Sequence, residues 1–132
     1  MKKIILLTIV FVASFSYAAP RKLKCDSYSK VCKFELTIGS TQKPASLKVL
    51  NHAQAEDCTL APNQTLVLNP SEESSGELTV FEGEGLGTDQ FNRVVQLKIL
   101  NDRYSLPKFE ANLDISTQFS DAVSQRNTIS CY

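Results

Sequence analysis

Tryptophan is absent from this chain, and histidine and methionine occur once each. Without tryptophan there is no large aromatic platform for a sugar-processing groove. With one histidine, His52, no His-rich metal site forms and a catalytic base has one obvious candidate. Charge of one sign is also missing: 14 basic residues balance 14 acidic ones. That balance excludes general nucleic-acid binding, which depends on a basic footprint. No C-x-x-C pair occurs, which removes the usual redox and zinc motifs. No stretch after residue 18 is apolar enough to span a bilayer. A sustained helical period is likewise absent.

The longest apolar run lies at the start. Lys2 and Lys3 precede an apolar stretch from Ile4 to Phe15, and Ser16-Tyr17-Ala18 follows. A positive n-region, an h-region and a small-x-small site read as a secretory signal peptide, residues 1–18, cleaved after Ala18. The mature chain is then residues 19–132, which is 132 − 18 = 114 residues. That length forms one domain with a real core. The style of the signal is bacterial, so the expected location is periplasmic or secreted, with no membrane span after cleavage.

What remains is alternation. Residues 31–38 place Cys32, Phe34, Leu36 and Ile38 on one face, a period of two that makes a half-buried strand. Similar runs cover residues 45–50, 65–69, 77–82, 93–100, 108–115 and 128–132. Asn101-Asp102 is turn chemistry, and residues 103–106 can begin a return strand before Pro107 ends it. Residues 116–125 fit a helix face or a strand equally. Residues 83–89 read as a glycine-rich loop. Short strands and frequent turns predict an all-β domain, a small antiparallel β-sandwich or closed β-barrel. The expected core is Phe34, Leu36, Ile38, Leu78, Val80, Val95, Leu97, Ile99, Phe109, Leu113 and Ile115. Val31, Phe81 and Val94 are the positions where a one-residue slip would exchange the faces.

Four cysteines remain in the mature domain: Cys25, Cys32, Cys58 and Cys131. Even parity in an exported domain predicts two disulfides. A tight turn at residues 27–30 would set Cys25 opposite Cys32 and Leu23 opposite Phe34, favouring Cys25–Cys32 with Cys58–Cys131.

Chemistry-bearing patterns are sparse. His52 with Glu56, Asp57 and Cys58 is too local for a catalytic triad, and Cys58 is assigned to a disulfide. Glu82, Glu84 and Asp89 in the glycine-rich segment offer oxygen ligands for calcium, without the order of an EF-hand loop. The same glycines match neither a P-loop nor a dinucleotide fingerprint. Charge is unevenly distributed: residues 21–48 carry seven basic residues and two acids, and residues 72–89 carry six acids and no base. Lys22, Lys24, Lys30 and Lys33, near the expected first hairpin, are the candidate binding residues for an anionic partner.

In size and layout the chain resembles small exported β-proteins such as periplasmic lysozyme or protease inhibitors, with no inhibitor motif matched residue by residue. The expected function is a non-enzymatic binding or inhibitory module of the bacterial cell envelope, without a cofactor, whose partner is an envelope protein or glycan. The alternatives are a structural or adhesive subunit that assembles through strand edges, or a small-ligand carrier. A filled core would favour recognition of a macromolecule, and an apolar cavity would favour carriage.

Overall fold

The computed structural model describes residues 20–27, 32–50, 59–117 and 123–132, with backbone alone for 123–125. Eight strands follow one another as a meander: β1 Arg21–Ser27, β2 Lys33–Ile38, β3 Ala45–Val49, β4 Thr65–Pro70, β5 Leu78–Leu86, β6 Asn92–Leu100, β7 Phe109–Thr117 and β8 Val123–Cys131. Each pairs antiparallel with its neighbour, and β8 returns to β1, so the sheet closes into a barrel rather than splitting into a sandwich.

Alternation fixes the inward face. Leu36, Leu47, Leu66, Leu68, Leu97, Ile99, Leu113, Ile115 and Ile129 are fully buried, as is Phe81. Eight strands enclose a space that side chains of this size fill. Of the expected core, only Leu78 is not buried. Val80 is buried but lies on the opposite face from the core residue Phe81. Strand β5 thus turns inward the face opposite to the expected one, a one-residue inversion at Phe81. Its inward face reads Thr79, Phe81, Gly83, Gly85, opposite Ile99, Leu97, Val95 and Arg93 of β6. Two glycines and a threonine make the inward face look the more polar of the two. Val80 instead faces outward beneath residues 71–77: Ser71 N–H donates to its carbonyl at 2.8 Å, and its own N–H donates to Ser74 Oγ at 2.9 Å.

Residues 83–86 belong to β5, so the expected glycine-rich loop begins only at Gly87. The glycines serve close packing. A Cβ on Gly83 would stand 2.3 Å from the Val67 carbonyl oxygen, and one on Gly85 would stand 2.8 Å from Leu66 Cδ2. The β4 chain therefore presses onto β5 there, and only two register pairs, Asn69↔Glu82 and Pro70↔Phe81, join the strands. Beyond them the Gln64 side chain substitutes for a ladder. Its Oε1 accepts from Leu86 N–H at 2.9 Å and its Nε2 donates to the Leu86 and Ala61 carbonyls at 2.7 and 2.8 Å. Residues 103–106 form turns, not a return strand. Arg21 straps that loop to β1 by donating to the carbonyls of Tyr104 and Leu106.

The disulfide reading needs correction. Cys25 is joined to Cys131, with Cα atoms 4.1 Å apart. Neither Cys25–Cys32 nor Cys58–Cys131 is therefore formed. The two cysteines face each other across the β1–β8 ladder. Lys24 and Tyr132 beside them exchange both backbone hydrogen bonds at 2.8 Å. Cys25–Cys131 is thus a non-hydrogen-bonded pair, where facing side chains lie closest. The first hairpin is wider than a tight turn: Cys25 opposes Phe34, and Leu23 opposes Leu36. A register shift of two preserves every face, so Phe34, Leu36 and Ile38 stay inside while the partner of Cys25 changes. Cys32 is itself disulfide-bonded, and Cys58 lies outside the described residues.

Candidate functional site

The outer surface divides by charge around the circumference. On the β1–β3 face, Lys22, Lys24, Lys33 and Lys48 are exposed. Two acids interrupt them. Glu35 lies between Lys24 and Lys48 in register, with Lys22 Nζ 3.7 Å from its Oε1. Asp26 opposes Lys33 and accepts from the Tyr132 hydroxyl at 2.8 Å. Of the four candidate binding lysines, the fold therefore brings Lys22, Lys24 and Lys33 onto one face and adds Lys48; Lys30 lies outside the described residues. The next strand, β4, shows uncharged Thr65, Val67 and Asn69 outward, and β5 then shows Glu82 and Glu84. Positive and negative sectors are thus separated by a neutral strip. Exposed pairs such as Lys22–Glu35 hold little stability.

The three candidate calcium ligands are placed differently from one another. Glu82 and Glu84 project outward from β5, exposed. Asp89 sits in the β5–β6 turn, where Arg93 Nη2 donates to its Oδ2 at 2.7 Å and Phe91 N–H donates to its Oδ1 at 3.0 Å. The Arg93 hydrogen bond, followed by that of Phe91, lowers the Asp89 pKa below the ordinary carboxylate value. Among the described residues no group of three His, Cys, Asp or Glu side chains is arranged to hold a metal ion. His52, Glu56, Asp57 and Cys58 lie outside the described residues.

Sequence reasoning missed one buried acid. Asp114, on the outer face of β7, is only 2 % exposed. Arg126 Nε donates to its Oδ1 at 3.0 Å, and Lys98 Nζ stands 3.0 Å from Oδ2 as an ion pair without hydrogen-bond alignment. Long aliphatic stems cover the carboxylate while Arg126 keeps its charge toward solvent. No spacing in the sequence links these residues; only the β6–β7–β8 register does.

Among the described residues, the inward side chains of the barrel are packed to near-zero exposure. A cleft of about 530 Å³ lies among the described residues at the end of the barrel that carries the β2–β3, β4–β5 and β6–β7 connections. No helix of the described residues is long and apolar enough to cross a membrane. Comparison of the chain with known protein families, with curated proteins and with solved structures found no match.

Proposed function

We propose that this chain is an exported, non-enzymatic binding module that recognises an envelope protein or glycan through the outside of its barrel. The packed interior carries this reading. A carrier needs an enclosed apolar space, and here Leu36, Leu47, Phe81, Leu97 and Leu113 occupy it. Strand-edge assembly has less support, since each of the eight strands is paired on both sides. The Cys25–Cys131 disulfide agrees with an oxidising compartment, and so does the signal-like start of the chain. In the proposed mature protein Cys32 bonds to Cys58, the one cysteine left once Cys25 and Cys131 are joined.

The lysine face of β1–β3 is the proposed contact when binding is electrostatic. Charges at an exposed rim govern association rate and salt dependence more than the final affinity. Protein captured on an envelope extract identifies the partner, and association is then timed for wild type and Lys33→Glu. The variant is expected to associate more slowly at low salt and to approach wild type at high salt. Equal loss at both salts, or none, removes this face. Turnover of a substrate that vanishes in His52→Ala overturns the non-enzymatic reading.

A further inference from the structure

The cleft at the loop end has a composition that the function above does not use. It is walled by residues of three separate connections, among them Thr41, Gln42, Ser75, Asn101, Tyr104 and Ser105. None of its lining residues is charged. Ions therefore find no partner there to offset the loss of their hydration. Its volume of about 530 Å³ is that of a small-molecule site.

Its hydrogen-bonding capacity is mixed and partly pre-set. Ser75 Oγ accepts from the N–H groups of Glu77 and Leu78, at 3.3 and 3.2 Å, so its own hydrogen is left to donate. Asn101 Nδ2 donates to the Ser75 carbonyl at 3.1 Å, and its Oδ1 accepts from Thr79 Oγ1 and keeps a second lone pair. Tyr104 donates its hydroxyl to the Gly39 carbonyl at 2.9 Å and retains lone pairs. The side chains of Thr41, Gln42 and Ser105 make no hydrogen bond among the described residues. Donors and acceptors thus stand side by side on a framework that internal bonds already hold.

One apolar surface completes the set. The Tyr104 ring is half-buried and rests against Phe81 with centroids 6.4 Å apart. Held by its ring contact and its hydroxyl bond, Tyr104 is the aromatic residue of the lining. A ligand that matches this surface is neutral, carries many hydroxyls, and has an apolar C–H face. A peptide in extended form would instead seek an open strand edge, and the barrel closes all of them.

We infer that this cleft binds a neutral saccharide. The inference rests on the binding-module reading and names one chemical class of its partner. The test uses the ¹⁵N-labelled exported protein, titrated with maltotetraose, chitotetraose and glucose while amide shifts are followed. Saturable shifts are expected at Thr41, Ser75, Asn101 and Ser105 with at least one tetrasaccharide, at an affinity of about 1 mM. Matching shifts with glucose at equal ring concentration mark a free sugar as the source; shifts with a tetrasaccharide alone mark a glycan chain. The double variant Gln42→Ala/Ser105→Ala removes two exposed side-chain partners and none of the described internal bonds. It should weaken binding about tenfold, with the amides of Leu97 and Leu113 unmoved as a check on folding. No saturable shift with any of the three sugars, or equal affinity in the double variant, overturns the inference. If sugars fail while partner association still depends on Lys33 and salt, the saccharide site alone is lost.

Discussion

Two seams of the barrel, β1–β8 and β4–β5, are closed by opposite means. Among the described residues, three register pairs join β1 and β8, from Cys25↔Cys131 to Ser27↔Ile129. Between β4 and β5 there are two. The other neighbouring strands share four or more pairs. At the first seam a covalent bond, Cys25–Cys131, lies within the ladder itself. At the second there is no covalent tie: two glycines let the β4 chain lie on β5, and the Gln64 amide stands in for a strand. A seam held by a bond depends on compartment, because the bond persists only where thiols are oxidised. A seam held by close approach depends on the absence of two methyl groups, whatever the compartment.

Breaking the covalent seam has the largest expected effect. The disulfide closes a loop of 106 residues in sequence separation. In the chain-entropy account such a loop contributes about 4.7 kcal/mol, and losses on removal run at about 2–5 kcal/mol. The double variant Cys25→Ala/Cys131→Ala should lose stability in that range by urea denaturation. A loss below about 1 kcal/mol would show that the β7–β8 and β1–β2 ladders hold this seam without the bond.

At the other seam the prediction separates Gly83 from Gly85, two residues on in the same strand. Neither has a positive φ, so a left-handed conformation plays no part and sterics alone decide. Alanine in an unstrained glycine position ordinarily stabilises by about 0.4–1 kcal/mol through the unfolded chain. At Gly83 the added Cβ meets a main-chain carbonyl at 2.3 Å, which a side-chain rotation does not relieve. Gly83→Ala should therefore destabilise by about 3 kcal/mol. At Gly85 the obstacles are the Leu66 side chain and the end of Gln64. Gly85→Ala should cost about 1 kcal/mol. Thermal unfolding of both variants checks the order, and a reversal would mean that the β4 backbone yields more readily than the Leu66 rotamer.

These seams also show which parts of the fold the sequence carries on its surface. Strands β2, β3, β6 and β7 alternate cleanly, and their faces follow from Phe34-x-Leu36-x-Ile38 or Val95-x-Leu97-x-Ile99 without knowledge of any neighbour. Strand β5 does not, because Phe81 shares its inward face with Thr79, Gly83 and Gly85, and another chain segment approaches closely at the two glycines. A glycine that admits a backbone reads the same as one in a loop. Cysteine pairing failed for a related reason. Parity is a property of composition, whereas the partner of Cys25 is set by how far the first hairpin extends and by which strand returns to close the barrel. The lysine face was legible because β1 and β2 are adjacent in sequence. The Asp114 group and the saccharide cleft were not, since each gathers residues from three connections or strands that only the register brings together.

The smallest expected effect distinguishes the seams by pH. Beside the glycine seam, the β5–β6 turn is fastened by Asp89, whose pKa is lowered first by the Arg93 hydrogen bond and next by Phe91 N–H. A carboxylate lowered in the folded state contributes stability that is present above its unfolded value, near 3.8, and is lost as pH falls through the folded value. Beside the covalent seam, the Tyr132 hydroxyl donates to Asp26, and that hydrogen bond, followed by the carboxylate's charge, raises the tyrosine pKa above 10.0. A phenol raised in the folded state contributes stability that is present below its unfolded value and is lost as pH rises through the folded one. Acid should therefore loosen the turn, and strong alkali the Tyr132–Asp26 contact. Both groups are exposed, so global stability should barely move, and local amide hydrogen exchange is the fitting measurement. Exchange at Phe91, corrected for its intrinsic pH dependence, should quicken below about pH 4 in wild type and show no such step in Asp89→Asn. Exchange at Tyr132, whose N–H donates to the backbone carbonyl of Lys24, should respond less over that acid range. Equal acid responses at the two sites would mean that they open together, and that the seams are not independent closures of one barrel.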